Sequence, residues 1–443
     1  MFETPKEATE KEAEEEITGP AHTRRKKGGR SPLPADLPRV EVVHDVPEEE
    51  KICACGCAKH RMGEDVTEKL EMIPAKAFVR RDIRPKYVCR NCSGSIVQAP
   101  LPAEPIARCI AGPSFLAHMA VSKYADHSPL CRMERSLSRS GIDITRSNMS
   151  EWVMRLHQLC RPLIDRIKRR ILESDVISSD DTSIRVQQQS GGTKRSYLWV
   201  YLGDEKAPYT LFDFREGRSR EGPRAVLGDY KGYLQADAYS GYEELYRLRD
   251  ESGAPCIIEA GCWAHARRYF FEALDSAPDL APHVLEEIQR LYEIERLLRE
   301  TDPSPENRHR VRQEQSVAVL ERLKTWLEDN PGLPKSPWGK AVHYSLANWK
   351  KLVRYTGDGR IEIDNNLVEN AIRPVALGRK NYLFAGSHEA AQRAAVTYSL
   401  LATCKKHGVE PQAWLTNVLT RIPTHPHKAV HELLPHIWKT RKV

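Results

Sequence analysis

The chain has 443 residues, 40% of them hydrophobic and 29% charged, an ordinary soluble composition with room for about two or three domains. No stretch approaches the ~20 consecutive apolar residues of a membrane span, and the N-terminus opens into acids without the apolar segment of a signal peptide, so we expect neither membrane insertion nor secretion. The net charge of +7 is unevenly spread, which favours nucleic acid over an acidic small molecule as the partner.

The cysteine content indicates a reducing compartment. The chain has 11 cysteines and no export signal. In such a compartment clustered thiols bind metal more often than they pair as disulfides. We therefore expect a cytoplasmic protein with at least one thiol metal site.

Residues 1–45 are poor in apolar side chains and divided by charge, acidic from Glu7 to Glu16 and basic from Arg24 to Arg30. Such a composition predicts a disordered tail. The basic run has two interpretations, a solvated tail or an arm that contacts phosphates.

Residues 46–105 are predicted to form a zinc-ribbon-like module. A tetrahedral zinc ion takes two ligands from each of two turns, and here two thiol clusters flank a hairpin-like spacer. The upstream cluster offers one thiol too many, so zinc would take four of five: Cys53, Cys55, Cys57, Cys89 and Cys92. Arg84 and Lys86 in the spacer would make the module basic and suited to DNA. The alternative is a small β unit whose cysteines bind no metal.

Residues 106–172 are predicted to be helical. Apolar residues recur with helical spacing before and after a turn at Ser140-Gly141, and Ser147 is a candidate N-cap for the second helix. This pattern resembles a helix-turn-helix, and DNA docking here competes with a plain helical connector.

Residues 173–385 are predicted to form an RNase H-like α/β domain, with a helical insertion at about 275–350 and a C-terminal helical segment over 386–443. The prediction depends on the order of the elements: three meandering strands, then alternating helix and strand. The strand-like runs are Val176 to Val186, Tyr197 to Leu202, Tyr209 to Phe214, the run ending at Asp237, and Cys256 to Ala260.

Three acids stand where such a sheet places its catalytic carboxylates. Asp180 lies in the first strand, Asp237 ends the fourth, and Glu369 lies at a later helix start. Hard carboxylate oxygens suit Mg²⁺ or Mn²⁺, and two such ions cleave phosphodiesters. Alternate side chains of a strand share a face, so Asp180 and Asp181 cannot both point inward, and parity does not settle which one does.

Each acid also has a structural interpretation. Asp180 and Asp181 could mark a strand-end turn, Asp237 could cap the next helix, and Asn366 with Glu369 could form a capping box. The occurrence of all three acids in the right order favours the metal site.

Basic side chains near these acids are predicted to bind the DNA backbone: Arg267, Arg268, Arg373, Arg379 and Lys380. Arg373 lies one helical turn after Glu369, so it could equally form an i,i+4 ion pair with that residue.

From Cys53 to His436 the sequence resembles the transposases of the bacterial insertion-sequence sixty-six family, DDE transposases with an RNase H-like core. The runs that carry the resemblance are Gly63–Val66, Ile83–Tyr87, Ser122–His127, Asp180–Thr182, Leu234–Tyr239, Cys262–Arg268, Asp364–Asn366 with Glu369, and Ala376–Asn381. Two departures are expected: the leucine-zipper-like helix with which these proteins usually begin is lacking, and Asn370 replaces the usual arginine beside the catalytic glutamate.

The resemblance implies that Asp180, Asp237 and Glu369 are catalytic, that a zinc module precedes them, and that DNA strands are transferred at terminal inverted repeats. The expected partners are double-stranded DNA (element ends and target), further copies of the chain and accessory proteins of the element, with no membrane. The expected cofactors are Mg²⁺ (or Mn²⁺) and Zn²⁺. Two alternatives stay open, an RNase H-like nuclease that only cuts and a zinc-ribbon DNA-binding protein with an inactive catalytic domain.

Overall fold

The computed structural model describes residues 77–83, 86–87, 97–98, 100 and 102–440. The chain divides into two units, Met1–Ala99 and Pro100–Val443. In the first unit, strands β1 (Lys86–Tyr87) and β2 (Val97–Gln98) pair antiparallel. The predicted tail and the five thiols of the predicted zinc site lie outside the described residues.

The second unit is organised around a five-stranded sheet. Its strands are β3 (Val176–Gln187), β4 (Thr193–Gly203), β5 (Thr210–Arg215), β6 (Gly232–Gln235) and β7 (Ile257–Ala260). They lie in the order β5-β4-β3-β6-β7, with β3, β4 and β5 antiparallel and β6 and β7 parallel to β3. This is the predicted RNase H-like sheet.

Helices pack against the strands of the sheet and fill the rest of the unit. In chain order they are α1 (Pro113–Tyr124), α2 (Leu130–Arg139), α3 (Arg146–Ile171), α4 (Glu221–Leu227), α5 (Glu243–Tyr246), α6 (Trp263–Glu272), α7 (Ala281–Thr301), α8 (Pro305–Val311), α9 (Val317–Asp329), α10 (Pro337–Ala347), α11 (Trp349–Leu352), α12 (Asn366–Tyr382), α13 (His388–Lys406), α14 (Pro411–Arg421) and α15 (Pro435–Thr440). Among the described residues, none of these helices is both long and apolar enough to cross a bilayer.

The edge strand β5 is covered by α13, and two hydroxyls satisfy its backbone. Ser399 Oγ accepts a hydrogen bond from the amide of Phe212 at 2.8 Å, and Thr403 Oγ1 accepts one from the amide of Thr210 at 3.2 Å. An uncovered edge would expose these amides to pairing with another chain. Helices α1, α3 and α14 pack with α13, so the helical segment and the sheet share one core.

Helices α2 and α3 form the predicted helix-turn-helix-like segment, joined by a turn in which Gly141 has a φ of +75°. Glycine adopts this left-handed conformation without the steric cost of a Cβ. The predicted N-cap at Ser147 is wrong: Thr145 precedes α3, and its Oγ1 accepts from the amide of Asn148 at 3.3 Å. The domain boundaries drawn from the sequence stay predictions.

The helices between β7 and α12 build a second apolar core, which includes Trp263, Phe270, Leu291 and Leu323. A buried ion pair lies beside it. Arg312 donates to both oxygens of Glu295 at 2.7 Å, and both side chains are completely inaccessible to solvent.

Candidate active site

Asp180 and Asp237 face each other because of the register of two parallel strands. In the pairing of β3 with β6, Ser178 lies opposite Gln235. Asp180 and Asp237 are each two residues further along their own segments, and side chains two residues apart point to the same side of a strand. The sheet therefore presents both carboxylates at the end of β6, where the backbone leaves the strand.

Glu369 reaches the same region from the first turn of α12, which packs against β3. The helix start is fixed to the sheet by Asn365, whose Nδ2 donates to the carbonyl of Ser179 at 2.9 Å and whose amide donates to Cys262 Sγ at 3.3 Å. Ser179 immediately precedes Asp180, so a single side chain sets the position of Glu369 relative to that carboxylate.

The inserted helices hold the loop that leads into α12. Tyr292 of α7 donates to Asp364 Oδ2 at 2.7 Å, and Arg308 of α8 pairs with Glu362 at 2.9 Å. Gln235, the last residue of β6, donates to the carbonyl of Glu362 at 2.6 Å. The insertion and β6 thus hold the loop together. The helical pattern of the insertion in the sequence did not indicate this role.

Asp180 and Glu369 line a cleft with a volume of about 960 Å³. Its walls come from β3, α6 and α12, and the lining residues are Asp180, Asp181, Thr182, His265, Arg268, Asn366, Glu369, Asn370, Ile372, Arg373, Ala376 and Arg379. The cleft therefore joins two of the predicted catalytic acids to three of the predicted DNA-binding arginines.

Like charges act on one another in this cleft. Burial and, after it, the negative charges of Asp237, Asp181 and Glu369 raise the pKa of Asp180 to about 7, although a hydrogen bond from the Asp181 amide at 2.7 Å opposes the rise. A strongly perturbed carboxyl group in a cleft is typical of functional sites.

Arg218 distinguishes Asp181 from Asp180. Its Nε donates to Asp181 Oδ1 at 2.6 Å, and its Nη2 lies 3.6 Å from Asp237 Oδ2. The guanidinium also lies 3.9 Å from the ring centroid of Tyr239, whose hydroxyl donates to the carbonyl of Arg218. Burial raises the pKa of Asp181, and the bond to Arg218 opposes that rise. Asp181 thus already has a cationic partner, whereas Asp180 has none among the described residues.

Sequence reasoning did not select Arg218 or His265. Arg218 belongs to an arginine-rich stretch whose fold the sequence left open, and no pattern links it to acids 37 positions away. His265 lies within the run Cys262–Arg268, and its Nδ1 is buried without a hydrogen-bond partner among the described residues. Its position in that run was the signal in the sequence that could have marked His265 as a candidate site residue.

The predicted capping box at α12 does not form. Asp364 Oδ1 accepts from the amide of Asn366 at 2.9 Å, and Asn366 Nδ2 donates to Asp364 Oδ2 at 2.7 Å. The side chain of Glu369 is left to face the cleft, and within residues 102–440 it forms no ion pair with Arg373. Two structural interpretations of Glu369 are therefore wrong.

The predicted DNA-binding residues fall into distinct environments. Arg268 and Arg373 are exposed at the cleft, while Arg379 also lines it and donates to the carbonyl of Ser183. Arg267 and Lys380 are exposed on the same two helices, α6 and α12. Lys86 is exposed in β1, and Arg84 lies outside the described residues.

The acids fit a hard divalent cation by donor type and by charge, since a cation would relieve the repulsion around Asp180. Their spacing is wider than one coordination sphere: in the part of the chain that the structure describes, no three His, Cys, Asp or Glu side chains lie close enough to hold a metal ion. The donors are thus assembled around the cleft without being at ligand distance.

Comparison with family models gives matches along the chain: Transposase IS66 family (residues 108–393), IS66 C-terminal element (399–436), zinc-finger binding domain of transposase IS66 (50–93) and Transposase C of IS166 homeodomain (2–42). The last model represents the leucine-zipper region of these proteins, so the expectation that this region is lacking was wrong. The first spans Asp180, Asp237 and Glu369.

Three similar proteins come from Sinorhizobium fredii (strain NBRC 101917 / NGR234). The uncharacterized protein y4jD is 35% identical over 424 residues, covering 93% of this chain and 82% of its own. The uncharacterized protein y4hP is 35% identical, with 94% and 78% covered, and the uncharacterized protein y4qI is 36% identical, with 92% and 78% covered.

Proposed function

The chain belongs to the IS66 family of transposases, and from this premise we propose that it is a DDE-type enzyme that cleaves DNA at the terminal inverted repeats of an insertion sequence and joins the freed ends to target DNA. The observation that supports this proposal is geometric. Asp180 and Glu369 line one cleft, and Asp237 follows β6, the strand that pairs with the strand of Asp180. The charge of Asp237 adds to burial in raising the pKa of Asp180. Carboxylates are the hard oxygen donors that two-metal phosphoryl transfer uses, and the sheet and α12 supply three of them.

In the proposed reaction a water oxygen attacks phosphorus at the element end, and the departing 3′ oxygen takes a proton to become a 3′-hydroxyl. That hydroxyl then attacks a phosphorus of the target, so one phosphodiester forms as another breaks. Asp180, Asp237 and Glu369 would hold Mg²⁺ or Mn²⁺, which lowers the pKa of the attacking group and stabilises the departing oxygen. Arg268 and Arg373 would hold the flanking phosphates as counter-charges.

The remaining assignments also belong to the proposal. Four of the five thiols Cys53, Cys55, Cys57, Cys89 and Cys92 would bind zinc, and the match to a zinc-finger model over residues 50–93 supports this. The partners would be double-stranded DNA, further copies of the chain and accessory proteins of the element, in the cytoplasm of a bacterium.

The test is cleavage and joining by the full chain on DNA that carries the element's ends, with Mg²⁺. Asp180→Ala, Asp237→Ala and Glu369→Ala are each expected to abolish cleavage and joining while DNA binding is retained. Glu306→Gln is the matched control, because this exposed acid of α8 lies in the insertion and outside the cleft lining. Activity that survives any of the three cleft changes would refute the assignment of that residue.

One observation favours a second candidate, a DNA-binding protein without catalysis: the acids do not lie at ligand distance. This candidate predicts salt-dependent binding to end DNA with no cleaved product at any Mg²⁺ or Mn²⁺ concentration. Cleaved product without joined product would instead indicate a nuclease.

A further inference from the structure

A second cavity of about 330 Å³ lies beyond the far end of α12 in the same unit. It is bounded by α1, β3 and the start of α13. Its lining includes Lys123, Ile184, Tyr382, Phe384, Ser387 and Arg393. None of them belongs to the lining of the catalytic cleft.

This cavity contains two cations that lack acidic partners. The Lys123 ammonium lies 5.3 Å from the ring centroid of Tyr124 and 5.1 Å from that of Tyr382. Arg393 affects Glu389 electrostatically, yet neither cation forms an ion pair with any residue between 102 and 440. Burial lowers the pKa of Lys123. A half-buried cation without a counter-charge is costly, and an anion in the cavity would relieve that cost.

The N-terminus of α13 adds the positive end of its helix dipole, although Glu389 in the first turn opposes it. This helix has 19 residues, and its N-cap Ser387 lines the cavity while accepting from the amide of Ala390 at 3.1 Å. The positive end of a helix dipole favours phosphate groups. Phe384, whose exposed fraction is 41%, offers a ring beside the cations on which a base can stack.

The cavity continues the catalytic cleft along two elements. On β3, Thr182 lines the cleft and Ile184 lines the cavity, and α12 contributes Arg379 to the first and Tyr382 to the second. At ~3.3 Å per strand residue, Ile184 lies about 13 Å from Asp180 along β3. One strand of B-DNA has a phosphate every ~3.4 Å along the axis, so this distance corresponds to about four nucleotide steps.

We propose that this cavity binds a backbone phosphate of the same DNA strand that enters the catalytic cleft, a few nucleotides from the reacting phosphate, with Lys123 and Arg393 as its counter-charges. The inference rests on the proposed function only in that DNA occupies the cleft. It adds a contact that fixes where along the strand the reacting phosphate comes to lie.

The test replaces single phosphates of the end DNA with neutral methylphosphonates, one position at a time, and measures binding to the full chain without divalent metal. For the unmodified chain, a position a few nucleotides from the cleavage point is expected to lose about tenfold in affinity. For Lys123→Gln and Arg393→Gln the loss at that same position should disappear, because its protein partner is already missing. Arg393→Lys keeps the charge and should retain the loss of affinity at that position. This variant therefore distinguishes removal of the charge from a folding defect.

Arg296→Gln and Lys335→Gln are the matched controls, since both residues are exposed and lie in the insertion, Arg296 in α7 and Lys335 in the turn before α10. The methylphosphonate profile of both controls should equal that of the unmodified chain. If no position loses its penalty in the Lys123 and Arg393 variants, or if the controls lose it equally, the inference is overturned.

Cleavage by the unmodified chain is measured in parallel and tests the proposed function separately. Cleavage without the position-specific coupling would leave the proposed function standing and remove the second contact. Position-specific coupling without cleavage would leave the second contact standing and count against the proposed function.

Discussion

Two buried charged clusters in this protein differ in how their charges are balanced. In the inserted helices, Glu295 and Arg312 are fully buried and joined by two hydrogen bonds of 2.7 Å. At the cleft, Asp180 is surrounded by acids and has a pKa raised to about 7. The first cluster is electrically complete. The second is incomplete, because Arg218 pairs with Asp181 and approaches Asp237, while Asp180 has no cationic partner among the described residues. A complete cluster holds a structure in place, whereas an incomplete one is prepared for a ligand.

Glu362 pairs with Arg308 of the inserted helices, and its carbonyl accepts a hydrogen bond from Gln235 of β6. Its carboxyl group shows how neighbouring cations change the effect of burial. Burial would raise the pKa of its carboxyl group, but Arg308, Arg299 and Arg312 more than offset burial and lower it. Asp180 is also a largely buried carboxyl group, and its neighbours shift its pKa the other way. The sign of the neighbouring charges, more than burial itself, separates the structural carboxylate from the proposed catalytic one.

The largest expected effect comes from breaking the balanced cluster. Arg312→Met leaves the buried Glu295 with only the 3.5 Å contact to Arg308 and should lower the free energy of unfolding by ~3–5 kcal/mol. Chemical denaturation of the full chain measures it. The double variant Glu295→Leu with Arg312→Met should recover most of the loss, because the poorly paired buried carboxylate is then removed and Arg308 keeps its pairing with Glu362. If the double variant is as unstable as the single one, packing rather than charge balance explains the loss.

Removing a charge from the cluster around Asp180 should lower activity without lowering stability. Asp180→Asn is expected to lower the cleavage rate by at least ~10²-fold, the scale of losing one preorganised electrostatic partner of a transition state. Stability without metal should be unchanged or higher, because the change relieves repulsion from Asp237 and Glu369. Cleavage kinetics and denaturation of one preparation measure both. A variant that is inactive and also strongly destabilised would contradict the distinction between the clusters.

The pH dependence of stability tests the same carboxyl group. The folded pKa of Asp180, about 7, lies above the ~3.9 of an unfolded aspartate, so the folded state binds the extra proton between these values. This contribution to stability is complete below about pH 4 and is lost as pH rises to about 7, by at most ~1.4 kcal/mol per pH unit. The difference in unfolding free energy between the unmodified chain and Asp180→Asn, measured with a chelator, should show this slope, and Mg²⁺ should flatten it. Parallel pH profiles would refute the raised pKa.

The sheet was predictable because its signals are local. Runs such as Tyr197 to Leu202 are apolar throughout, as a strand buried on both faces requires, and the order of strands and helices then leaves few topologies. Asp237 was predictable for the same reason, since it follows a buried strand. The predicted residues Asp180 and Glu369 do line one cleft.

The remaining features depend on contacts between distant segments. Parity could not choose between Asp180 and Asp181, and the difference between them is Arg218, which reaches Asp181 from a segment without a clear pattern. The position of α12 depends on Asn365 and Ser179, which are 186 positions apart. No periodicity in the sequence encodes such pairs.

The smallest expected effect tests whether the inserted helices act on the catalytic cleft. Tyr292 of α7 donates to Asp364 Oδ2 at 2.7 Å, beside the start of the helix that carries Glu369. Tyr292→Phe removes only the hydroxyl and should cost ~1.5–3 kcal/mol of stability, the scale of one hydrogen bond to a charged acceptor. If the insertion also positions Glu369, the cleavage rate should fall by less than about tenfold, with DNA affinity unchanged. Tyr344→Phe is the control, since Tyr344 belongs to the same insertion and stacks on Tyr269 with centroids 4.6 Å apart. Equal cleavage by the two variants would mean that the bond from Tyr292 supports the fold without acting on the cleft.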